Sequence, residues 1–170
     1  MKILTIVSFV FLVLTTDPLV QNIKEAKLKI NLPNAEWFLA DRIDKGNLVV
    51  YQYKRSPIED DEQRKIIPNI AVIVEEIDKK TDVMAYSLMK RLKTPFEVDE
   101  VFIHDSGRID FKNAIAYRGH YTDGEGMEHT IYIVHAISNK KGIQVIMDTT
   151  SNILDQVDSE FLSALKSIRE

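Results

Sequence analysis

Polar and apolar positions alternate with two different periods along the chain, and each period predicts a kind of element. Lys27-Leu28-Lys29-Ile30-Asn31-Leu32 alternates strictly, as a half-buried strand does, and Pro33 stops it. Glu36-Trp37-Phe38-Leu39-Ala40 is a second short apolar stretch. Asp44-Lys45-Gly46-Asn47 reads as a turn, with a strand from Asn47 to Lys54 leaving it. A charged loop over Ser56 to Gln63 precedes Ile66 to Ile77, where Ile70-Ala71-Val72-Ile73-Val74 is dense enough for a central strand.

The rhythm then becomes helical. Thr81-Asp82 offers an N-cap, and Val83, Tyr86, Met89 and Leu92 recur at helical spacing until Pro95 ends the pattern. Strands are predicted over Glu97 to His104, Phe111 to Tyr121, Glu128 to Ser138 and Gly142 to Thr149. The last two form a hairpin around Asn139-Lys140-Lys141-Gly142, with Gly142 assigned to a left-handed bulge position. From about Ser151 onward, Leu154, Val157, Phe161, Leu165 and Ile168 form one amphipathic stripe.

Strands joined by short turns predict an α+β fold with a mainly antiparallel sheet. Ile131 to Ile137 and Ile143 to Met147 are apolar on both faces, which predicts helical or loop layers on both sides of that sheet. No internal repeat, low-complexity tract or Gly/Pro-rich linker divides the chain, so one domain over 27–170 is expected, after a polar lead-in at 17–26.

Leu32-Pro33 followed by Trp37, the strand end Tyr51-Gln52-Tyr53-Lys54-Arg55, Pro68-Asn69-Ile70-Ala71-Val72, and the closing Leu165-Lys166-Ser167-Ile168 resemble the PsbP/Mog-type α/β/α sandwich. The resemblance covers most of Lys27 to Glu170. It implies a twisted antiparallel sheet flanked by helices on both faces, usually without catalysis. Its best-known members are extrinsic subunits of photosystem II or binders of the Ran GTPase. No binding residue of that family maps onto a distinctive motif here.

The start of the chain changes the picture of location. Met1-Lys2, a predominantly apolar run from Ile3 to Leu14 and the small residues Thr15-Thr16 have the parts of a secretory signal peptide at 1–16. The run is shorter than the about 20 apolar residues of a spanning helix, so contact with a membrane is expected only through an uncleaved signal anchor. Export places the protein in a secreted or periplasmic setting and argues against the nuclear branch of the resembled family. The chain has no cysteine, which excludes disulfides, thiolate metal sites, a cysteine nucleophile and a lipid-modified amino terminus. The net charge of −4, falling to −5 without Lys2, and the lack of Lys/Arg runs exclude nucleic acid as the expected partner.

Candidate chemistry is sparse. If Asp123-Gly124-Glu125-Gly126 is a four-residue loop, Thr122 pairs with Met127 and His120 lies directly opposite His129. Two such imidazoles can share zinc or copper, with Asp123, Glu125 or Glu128 supplying oxygen; His135, opposite Ala114, is too distant to join them. A one-residue slip would put the two histidines on opposite faces. In the four-residue-loop register Tyr117, Tyr121 and Tyr132 share a face, which reads as packing under a helix.

His104-Asp105-Ser106 holds the residue types of a hydrolase triad, but neighbours in sequence point apart, and the segment reads as a turn. Glu59-Asp60-Asp61-Glu62 lacks the ordered ligands of a calcium loop and reads as a solvated loop or a docking patch. Trp37, the only tryptophan, is expected at the core or its edge. No phosphate-binding or dinucleotide motif is present and no cofactor is implied. The leading expectation is a non-enzymatic binding or accessory protein acting through a protein surface on an unknown envelope or secreted partner. The alternatives are a metal-dependent protein using His120 and His129, and a carrier of a small apolar ligand.

Overall fold

The computed structural model describes residues 19–170. The export segment expected at 1–16 and the first two residues of the lead-in lie outside the described residues. None of the described helices is long and apolar enough to cross a membrane.

Among the described residues the chain forms eleven strands and two α-helices, an α+β arrangement. The segment read as a lead-in carries a strand. β1 (Val20–Ile23) pairs antiparallel with β2 (Leu28–Asn31), and Ile23, Leu28 and Ile30 are buried. β3 (Trp37–Asp44) and β4 (Leu48–Arg55) meet at a turn where Gly46 has φ +76°, a left-handed value that favours glycine.

The charged loop contains a small hairpin, β5 (Ile58–Glu59) with β6 (Lys65–Ile66). Its acidic run is not uniformly solvated. The Asp60 carboxylate is fully enclosed and accepts hydrogen bonds from the Arg64 amide (2.8 Å), Arg64 Nε (2.8 Å) and Asn152 (2.9 Å). Burial alone would raise its pKa, but these donors outweigh it and hold the group down at about 2.

β7 (Asn69–Glu76) leads to α1 (Val83–Arg91), capped by the Asp82 carboxylate, which accepts from the Ala85 amide at 2.8 Å as its sequence position predicts. β8 (Glu97–Ile103), β9 (Ala114–Thr122), β10 (Glu128–Ser138), β11 (Lys141–Thr150) and α2 (Leu154–Lys166) complete the chain. Seven strands make one antiparallel sheet in the order β3-β4-β7-β11-β10-β9-β8, with β3 and β8 at its edges.

Alternation along β10 separates the two faces. Tyr132 points to α2, where its ring meets Phe161 (6.0 Å between centroids) and its hydroxyl donates to Asp158 (2.6 Å). The residues sharing that face, Val134, Ala136, Ile143, Val145, Met147, Val72 and Ile70, are buried against α2 and the β1–β2 hairpin. Trp37 lies there too, 3% exposed, donating from Nε1 to Glu160 (2.7 Å), which Arg55 also contacts (3.0 Å). His135 points the other way, to α1, whose contacts fall on β9 and β10. On that side β3 and β4 leave Phe38, Gln52 and Lys54 exposed.

The β10–β11 hairpin corrects one expectation. Ser138 pairs with Lys141, so Asn139 (φ 49°) and Lys140 (φ 61°) form a two-residue turn and Gly142 lies inside the strand. Gly142 is required by close approach instead. A Cβ there would sit 2.5 Å from the Tyr86 ring of α1.

Candidate functional site

The hairpin between β9 and β10 does not assemble the expected metal pair. Thr122 pairs with Glu128, one residue beyond the predicted register, so His120 faces Thr130 and His129 faces Tyr121. The two imidazoles therefore lie on opposite faces of the sheet and cannot share an ion. The cause is Asp123. Its Oδ1 accepts from the amides of both Glu125 and Met127 (2.9 Å each), and the Asp123 amide donates to the Met127 carbonyl (2.9 Å). Met127 is thereby drawn into the loop, with Gly126 at φ +84° closing it. The bond from the Met127 amide is the main reason the Asp123 carboxyl lies below its usual pKa.

Each histidine instead has its own carboxylates. His120 Nδ1 lies 2.9 Å from Asp99, and its Nε2 3.4 Å from Glu97. His129 Nδ1 lies 2.9 Å from Asp148 and its Nε2 3.3 Å from Asp123, while Tyr121 stacks on its ring at 4.9 Å and donates to Asp148. Glu125 is exposed. Among the described residues no three His, Asp or Glu side chains are placed to hold a metal ion. The same shift separates the tyrosines: Tyr117 and Tyr121 share the His135 face, and Tyr132 pairs with Arg118 on the other. His104-Asp105-Ser106 forms a single 3-10 turn ended by Gly107, as the turn reading predicts.

The chemistry of α1 is more informative. Its inner side is polar. The Tyr86 hydroxyl donates to Glu75 (2.6 Å), and Lys90 pairs with the same carboxylate. Ser87 Oγ lies 2.7 Å from the Tyr117 hydroxyl and 2.9 Å from His135 Nδ1. Burial, then the charges of Lys90 and Arg91, push the His135 imidazole down to about 4, so it is neutral at ordinary pH. A Ser–His contact is part of a nucleophilic triad, but Ser87 and His135 are each 1% exposed, and His135 Nε2 meets no hydrogen-bond partner. The network is a polar latch under the helix.

The outer side is apolar. Met84, Leu88 and Leu92, spaced by four, are 67%, 63% and 80% exposed. They line an open groove of about 570 Å³ with Ala85, Arg91, Ile115 and Tyr117. Val101 and Ile103 of β8 are directly paired with Tyr117 and Ile115, and are 53% and 52% exposed. One apolar surface thus runs from α1 onto the edge strand. At its rim the Arg91 guanidinium lies over the rings of Phe96 (5.2 Å) and Tyr117 (5.0 Å).

The periodicity of α1 points to a stripe through Tyr86, Met89 and Leu92; the structure buries Tyr86 and leaves Met89 and Leu92 exposed. Sequence reasoning missed Ser87, Arg91 and the Met84-Leu88-Leu92 stripe. Their signal was a helix apolar on more than one side with a serine beside its central aromatic residue.

No protein-family model matches the chain, and no curated protein matches its sequence. Among solved structures, the Ran-binding protein Mog1p of Saccharomyces cerevisiae is similar with a TM-score of 0.53 at 10% identity, over 88% of this chain and 93% of Mog1p. LpqN of Mycobacterium tuberculosis, described as involved in cell envelope biogenesis, has a TM-score of 0.49 at 12% identity, over 84% of this chain and 82% of LpqN. The likeness to Mog1p shows the fold: the chain has the Mog-type architecture that its sequence resembles.

Proposed function

We propose that this is an exported, non-enzymatic binding or accessory protein, an α/β/α sandwich with an incomplete α1 layer that docks a partner protein in the α1–β8 groove. The observation that carries the reading is the contiguous exposure of Met84, Leu88, Leu92, Val101 and Ile103 around that groove. Soluble monomers rarely leave such a set of large apolar side chains together unless something covers it. Export is supported by the pattern of residues 1–16, and a protein partner agrees with the Mog-type fold, which Mog1p uses in binding Ran.

The test uses a photo-crosslinker placed at Met89, beside the groove, in otherwise unaltered and Leu88→Asp chains. A specific envelope or secreted protein crosslinked by the unaltered chain and lost in Leu88→Asp is the expected result. Crosslinks that Leu88→Asp leaves unchanged would show that the groove is not the docking surface.

A further inference from the structure

We propose that the α1–β8 groove takes an apolar peptide segment of the partner that presents a carboxylate to Arg91. The inference rests on the docking reading above and adds the chemistry of the partner. Arg42, Arg55, Arg64 and Arg108 each pair with an acidic side chain, at 2.8, 3.0, 2.7 and 2.8 Å. Arg91, like Arg118 and Arg169, has no such partner among the described residues, and of these three it alone lines the α1–β8 groove. Its neighbour Lys90 already holds Glu75.

The Phe96 and Tyr117 rings fix the guanidinium plane without neutralising its charge, and Arg91 Nε is buried with no hydrogen-bond partner. A guanidinium held in place and weakly hydrated is suited to a carboxylate, because the planar fork loses little freedom on binding. The walls set the rest of the occupant. Met84, Leu88, Leu92 and Ile115 are apolar, and Val101 and Ile103 extend the surface along β8. A purely apolar occupant leaves the Arg91 charge unmatched, and a purely acidic one leaves the Leu88–Leu92 stripe wet. Apolar side chains beside one acid satisfy both.

Two pools of fluorescent octapeptides test the assignment, one alternating Leu, Ile or Val with Glu, the other with Gln in place of Glu. The Glu pool is expected to bind the full chain, and the Gln pool about tenfold more weakly, the scale of one charge-assisted hydrogen bond. Arg91→Gln should abolish the difference, and Arg91→Lys, which keeps the charge but not the fork, should retain part of it. Leu88→Asp should weaken both pools, with far-UV circular dichroism confirming that each variant folds. Equal affinity of the two pools overturns the carboxylate assignment and spares the groove. Binding by neither pool, or binding indifferent to Leu88→Asp, overturns both. Laurate that displaces the Glu pool and binds in the groove as tightly would assign it to a small amphiphile and overturn the peptide.

Discussion

The Tyr132 face and the His135 face of the sheet are made by the same strands but completed by different means. On the Tyr132 face, α2 and the β1–β2 hairpin seal the surface with Val157, Phe161, Ala164 and Leu165, all fully buried. Polar contacts there sit at the margin, as Glu160 does with Trp37 and Arg55. On the His135 face, a helix of nine residues buries one aromatic ring and a serine, held by hydroxyl, imidazole and carboxylate contacts. The difference separates two tasks. Apolar packing supplies stability without depending on orientation, while a polar latch fixes the angle of a helix and leaves its apolar residues free to meet something else.

The largest expected effect is on the sealed face. Phe161→Ala should cost about 3–5 kcal/mol in urea denaturation, from lost burial and the cavity left behind. A cost below about 1 kcal/mol would mean that α2 is not what completes the core.

The latch should reveal itself through pH. The folded state holds His135 near 4, against an ordinary value of 6.5, so the unfolded chain binds the extra proton between those values. Its contribution is fully present above pH 6.5, falls as the pH drops towards 4, and is then lost, on the order of 2–3 kcal/mol in all. Stability measured from pH 7.5 to pH 4 should therefore fall further in the unaltered chain than in His135→Gln. Parallel pH profiles would break the contrast between the faces.

Glu160→Gln should cost about 1–2 kcal/mol, the worth of a charge-assisted contact to Arg55, while keeping an acceptor for Trp37. Burial raises the Glu160 pKa, but bonds from Arg55, Trp37 and Asn34 outweigh it, and the carboxyl lies below its ordinary 4.5. Its contribution is present above that value and lost as the pH falls through the lower folded one, so the variant should show a shallower acid limb. Least affected is Leu88→Ala, expected to stay within about 0.5 kcal/mol because the side chain is exposed. A larger loss would place Leu88 in the folding core and remove it from the docking surface.

Where local rules act alone, the chain was readable. Glu128–Ser138 as a strand, Asp82 as a cap and the Val157-Phe161-Leu165 stripe all follow from period or position, and all are present. β3 was harder. It continues through Asp41, Arg42 and Asp44, polar residues tolerated because the strand is an edge and mostly exposed. The His120–His129 pairing failed because loop length depends on which amides Asp123 gathers, and that choice moves every side chain to the other face. The α1 surface was hidden for a related reason. Hydropathy credits Tyr86, Met89 and Leu92 alike with burial, but only Tyr86 is buried, and Ser87 beside it is buried with hydrogen-bond partners, Tyr117 and His135, that only the fold brings together.

Gly142 makes the groove adjustable from a distance. The absent methyl group lets the Tyr86 ring settle onto β11, and that contact spaces α1 from the strands beneath it. Alanine at this position would act as a shim, lifting the helix and opening the angle it makes with β8. The groove proposed above as the docking surface would then change shape with none of its own residues altered, through a strand position that is itself buried.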